Sequence, residues 1–274
     1  MKTVLTLFCW LAISFCIAQN FEGTIKWSVK SEITDPKMKA QMEEAQKKMS
    51  DPATQAQMKQ MQEKMNDPQM KAMMEQNPQL KAQMENATKM MQGGDMSSMM
   101  PTGFTIRVKN GNTLTHMEGG MMGGTETLYK EDKSETFLIN RNSKTYSKMA
   151  GNHPNDPATT QVKVSKTSET QKILNYTCTK SIVTTTHEGK SITQYIWTTK
   201  EIKDFDLKSL SKQQVGKGQS MFYDNIDGVP LKMEMITPQM KMTMQVMEIK
   251  KESLPASAFE IPGGYTETKI PGMH

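Results

Sequence analysis

Methionine and histidine are the side chains of this sequence best suited to chemistry, and that chemistry would be soft-metal binding, although no motif settles the choice between ligand and apolar filler. The chain holds 28 methionines and 4 histidines. His116-Met117 stands close to Met121-Met122. Met233-x-Met235 precedes Met240-x-Met242-x-Met244, and Met273-His274 closes the sequence. A thioether is a soft ligand that suits Cu(I). Residues two apart in a strand share a face, so Met240, Met242 and Met244 can present their sulfurs together. The plainer reading of the same residues is an apolar strand face lining a barrel, because methionine is an adaptable filler.

Catalytic patterns are missing from the sequence. His116, His153, His187 and His274 fall in loops or near turns, and none has a partner spaced as in H-E-x-x-H. Neither G-x-S-x-G nor a phosphate loop occurs; Gly119-Gly120-Met121-Met122-Gly123-Gly124 lacks the Lys-Ser/Thr and reads as a flexible turn. The expectation is a protein that is not an enzyme and carries no cofactor, with copper(I) as the alternative. The net charge of +5 comes from lysine, with Arg107 and Arg141 the only arginines. Readers of phosphate and bases lean on arginine forks. Scattered lysines interleaved with acids describe solvated faces, so nucleic acid is excluded as a partner.

These residues must be positioned by elements that follow an export signal. Lys2 precedes an apolar run from Val4 to Ile17, and Cys16-Ile17-Ala18 offers small residues where a signal peptidase reads. Residues 1–18 are expected to be a signal peptide, leaving Gln19 as the mature start in a periplasmic or secreted protein. Phe15 before Cys16 is a poor lipobox residue, which argues against lipidation. Cys9 and Cys16 leave with the signal, so the lone Cys178 reads as a small buried strand residue.

Strand grammar flanks a central repeat. Phe21, Ile25, Trp27 and Val29 alternate with polar residues, as do Phe104, Ile106 and Val108, then Val162 with Val164, and Tyr195 with Trp197. Turn signals separate the runs at 109–112, 140–142, 187–189 and 225–228. The predicted fold is mainly β: a curved antiparallel sheet or unclosed barrel over residues 19–33 and 102–274, with one short helix over Asp204 to Leu210.

Residues 34–101 are read as an inserted, Met-rich α-helical arm. Asp35-Pro36, Asp51-Pro52 and Asp67-Pro68 recur every sixteen residues, and fifteen methionines fall between Met38 and Met100. Aspartate caps a helix, proline presets its first residue, and the residue before proline leaves the helical region. Helices are therefore predicted near 36–49, 52–65, 68–76 and 78–91, ending at Gly93-Gly94. Their apolar stripes are narrow, and helices of about fourteen residues are marginal alone in water. The arm needs something to dock on: the sheet, a ligand, a membrane or a partner.

Two resemblances follow. Phe21-Glu-Gly-Thr-Ile-Lys-Trp27, Lys172-Ile-Leu-Asn-Tyr-Thr-Cys178, Tyr195-Ile-Trp-Thr-Thr-Lys-Glu-Ile202 and Phe259-Glu-Ile-Pro-Gly-Gly-Tyr265 resemble the motifs of an uncharacterised envelope domain of Gram-negative bacteria, a domain of unknown function. Asn175 departs from that family's usual glycine. The resemblance covers about two thirds of the chain. It implies a fold like that of the LolA/LolB-type lipoprotein carriers, an unclosed barrel able to hold acyl chains. It carries no catalytic residues. The stretch from Asp67-Pro68 to Asn77-Pro78 is similar to the Asp-Pro repeats of Hop- and ubiquilin-type co-chaperones, which form methionine-lined grooves.

Three readings stand together. The first is a binder of an apolar ligand, lipid, lipoprotein or peptide. Trp27, Phe104 and Trp197 on the sheet and Met42, Met58 and Met74 on the arm would line its site. The second is a Cu(I)-binding or copper-tolerance protein using His116, Met117, Met121, Met122, Met240, Met242 and Met244. The third is a chaperone-like interaction arm that meets envelope proteins or a membrane surface.

Overall fold

The computed structural model describes residues 21–65, 67–69, 100–120, 122–149, 160–187, 189–204 and 226–268. Along the chain these form β1 (Gly23–Ile33), α1 (Pro36–Ser50), α2 (Pro52–Met65), β2 (Gly103–Lys109), β3 (Asn112–Glu118), β4 (Thr125–Lys130), β5 (Glu135–Asn140) and β6 (Thr145–Lys148). There follow β7 (Thr160–Ile173), β8 (Tyr176–His187), β9 (Lys190–Thr199), β10 (Val229–Ile236), β11 (Met240–Lys251), a 3₁₀ turn at Ala256–Phe259 and β12 (Thr266–Glu267).

All the strands join one curved, unclosed sheet in the order β12-β6-β5-β4-β3-β2-β1-β11-β10-β9-β8-β7. Two meanders, β2–β6 and β7–β11, are stitched together by β1, which pairs antiparallel with β2 and with β11. Only β12, parallel to β6, breaks the antiparallel rule. The hairpins are local in origin. Between β2 and β3, Asn110 at φ 50° and Gly111 at φ 77° make a two-residue turn whose positive φ values match strand twist.

Period-two alternation places the core. Ile25, Trp27 and Val29 are buried, and Ile106, Val108, Val246 and Leu231 join the cluster around the first two. A second cluster of Leu114, Leu128 and Ile139 forms under Leu254 and Phe259 of the C-terminal segment. A third joins Val183, Ile196 and Ile226. Cys178 is fully buried, and burial, then the Glu201 carboxylate, push its thiol up to about 11. It is an inert core residue.

The helical reading holds where the chain is described. Asp35 accepts from the Lys37 and Met38 amides, Asp51 from those of Ala53 and Thr54, and Asp67 from that of Gln69. The helices expected over 68–76 and 78–91 lie outside the described residues beyond Gln69. So do the signal segment and most of the helix expected over Asp204 to Leu210. The boundaries of an inserted arm thus stay an expectation. Among the described residues, no helix is long and apolar enough to cross a membrane.

Glu22 ties the C-terminal segment to the sheet. It accepts from Lys109 Nζ at 2.8 Å and from the Leu254 amide at 2.6 Å, and Lys109 also donates to the Leu254 carbonyl. The Lys109 hydrogen bond, then the Leu254 amide, hold the Glu22 carboxyl below its ordinary 4.5. A lowered carboxyl stabilises the fold above its unfolded value and loses that contribution as pH falls through its folded value. Glu22→Gln should therefore melt below wild type at pH 7, with the gap closing towards pH 3. Melting curves across that range check it; a gap that grows on acidification contradicts it.

Candidate functional site

The two faces of the sheet carry different chemistry. On the face that bears Trp27, β10 and β11 set their methionines side by side. Met233 opposes Met244 and Met235 opposes Met242, while β1 opposes Val29 to Met244, Ser31 to Met242 and Ile33 to Met240. Directly opposed side chains have their Cβ atoms about 4.5–5.5 Å apart, so these thioethers are within reach of one another. All five methionines are half-buried. Met244 packs against the Trp27 cluster and Met233 against the Val183 cluster. The ladder is thus a partly open continuation of the core. Ser31 Oγ is buried there with no hydrogen-bond partner among the described residues.

α1 begins beside this ladder. The Thr34 and Asp35 amides both donate to the Gln239 carbonyl in the turn that precedes Met240, at 2.9 and 3.3 Å. In α1, Met42 is half-buried and Met38 exposed. Met58 falls within α2, and Met74 lies outside the described residues.

The aromatic residues singled out from the sequence sit in or against the core. Trp27 is 6% exposed and Trp197 8%. Phe104, opposite Trp27 on β2, stacks on it with centroids 5.5 Å apart. Lys232 Nζ stands 4.4 Å from the centre of the Trp197 ring. The void left around Trp27, Ile25 and Leu231 is about 10 Å³, room for about one water at most.

The histidine-led candidates are not brought together. His116 and Met117 are neighbours on β3 and point to opposite faces. Met122 is 45% exposed in the following turn, and Met121 lies outside the described residues.

Unforeseen from the sequence is a polar cavity of about 870 Å³ on the opposite face. Strand register builds its floor as a row: Glu126 opposes His116, which opposes Thr105, then Lys26, then Glu248. Glu126 is 3% exposed, with His116 Nδ1 3.2 Å from Oε1 and Arg141 Nε 2.8 Å from Oε2, the latter an ion pair without hydrogen-bond alignment. Lys26 pairs with Glu248 at 2.7 Å, and that hydrogen bond raises the lysine. Lys250 pairs with Glu252 at 2.5 Å, and with Thr24 it lowers the Glu252 carboxyl. Arg107 and Glu118 complete the charged lining, and Leu254, Pro255 and Ala258 close one side. One signal was available in the sequence: in a lysine-rich chain, the only two arginines, Arg107 and Arg141, meet in this cavity.

The chain is thus a mainly β protein built on one open sheet, methionine-rich on one face and hollowed into a charged cavity on the other. Residues 95–265 match the family model described as a domain of unknown function, DUF4412. That segment spans more than half of the chain, which therefore belongs to the DUF4412 family. No curated protein matches the sequence.

Proposed function

We propose that this chain is an exported, non-enzymatic binding protein of the bacterial envelope that holds an elongated apolar ligand on the methionine face of its sheet. The observation that carries the reading is the ladder of Met233, Met235, Met240, Met242 and Met244, half-buried and continuous with the core. Methionine repacks readily around ligands of different shape. The helices following β1 supply the cover. α1 starts at the ladder's end, and Met42 is a half-buried methionine on it. Ser31 Oγ, buried without a hydrogen-bond partner among the described residues, and Gln194, opposite Met235, are polar groups beside the strip that the polar end of a fatty acid or lipid would meet. A fold like that of the lipoprotein carriers accords with this role, and the reading requires no cofactor.

A second reading has its own support. Five thioethers on two neighbouring strands form a soft donor set for Cu(I). The two readings part on what travels with the protein. Native mass spectrometry of the mature chain purified from its own envelope should show an added lipid mass. A copper adduct removed by a thiolate chelator, with no lipid, would replace the first reading by the second.

A further inference from the structure

We propose that the charged cavity is a separate binding site for a short peptide with free ends. Its lining sets four cations against four carboxylates, so its charge is balanced and it is not a trap for simple anions. Most of these groups are paired: Lys26 with Glu248, Lys250 with Glu252 and Arg141 with Glu126. Two are left over. Arg107 and Glu118 make no direct ion pair within 4.0 Å among the described residues; they act only at longer range, Arg107 on Glu252 and Glu118 on Lys26. Glu118 instead accepts from Thr105 Oγ1 at 2.8 Å. A cavity with one cation and one carboxylate that lack a direct ion partner is complementary to a zwitterion.

Register sets the length of that zwitterion. Arg107 opposes Leu114 and Glu118 opposes Gly103, so the two lie one strand apart and four residues apart along it. Their backbones are then about 14 Å apart. Glu118 Oε1 sits on Thr105, two residues from Arg107 on the same strand, so a peptide of two or three extended residues, at about 3.3–3.6 Å each, would span the two charges. The ligand's carboxylate would take the Arg107 guanidinium in a bidentate fork, and its ammonium would meet Glu118. Leu254, Pro255 and Ala258 offer contact for small apolar side chains. Among the described lining residues the His116 imidazole is the one aromatic ring, and it is engaged by Glu126. The site lies on the opposite face from the methionine ladder and does not depend on it.

Calorimetric titration of the mature full-length protein with trialanine, N-acetyl-trialanine and trialanine amide tests this. Trialanine should bind, and blocking either end should weaken it by about tenfold or more, the cost of one charge-assisted contact. Arg107→Met should remove the difference between acid and amide, and Glu118→Gln the difference between free and acetylated amine. The blocked peptides test the claim on the unaltered protein, so a variant that fails to fold leaves the test intact. No binding of trialanine at millimolar concentration, or binding indifferent to both blocks, overturns the proposal.

Discussion

Trp27→Ala should be the most damaging single substitution in the sheet, lowering the free energy of unfolding by about 3–5 kcal/mol. The residue is 6% exposed on β1, stacked against Phe104 and opposite Val246. β1 is the strand that joins the two meanders, so a cavity there loosens both. The indole Nε1 has no hydrogen-bond partner among the described residues. Trp27→Phe removes that orphan along with part of the volume, so it should cost far less, about 1 kcal/mol. Urea unfolding of both variants checks the pair. Equal losses would show that ring volume is not what β1 contributes.

Much of this architecture is written locally. The aspartates at 35, 51 and 67 announce their helix starts because a cap is a contact between residues two or three apart. The alternation of Ile25, Trp27 and Val29 announces β1 and its buried face. The methionines of β10 and β11 are legible as a group because a short turn joins the strands. The polar row was not legible. Glu126, His116, Lys26 and Glu248 converge only through the register of five strands, and register depends on turns and bulges that hydropathy does not show. The bulge between Lys26 and Trp27 in the pairing with β11 is one example. The separation of His116 from Met117 follows from the strand period alone, once β3 is known to include both.

Replacing Met233, Met235, Met242 and Met244 together by glutamine should abolish uptake of an apolar ligand while leaving the sheet folded. Each exchange keeps side-chain length but replaces a thioether with an amide that must be desolvated when the ligand arrives. Burying an acyl chain is worth about 0.8 kcal/mol per CH₂, and a polar strip forfeits much of it. A loss of only about 3 kcal/mol weakens binding by about a hundredfold. The half-burial of these residues keeps the structural cost modest. Met247, 56% exposed and outside the ladder, is the control, and Met247→Gln should bind as wild type does.

The most direct test of the central claim is a titration of the mature protein with a fluorescent long-chain fatty acid, repeated with Cu(I) under reducing conditions. The wild type should take up the fatty acid saturably, the four-glutamine variant should not, and prior addition of Cu(I) should leave uptake by the wild type unchanged. No uptake by the wild type, together with tight Cu(I) binding that the variant loses, would contradict the account.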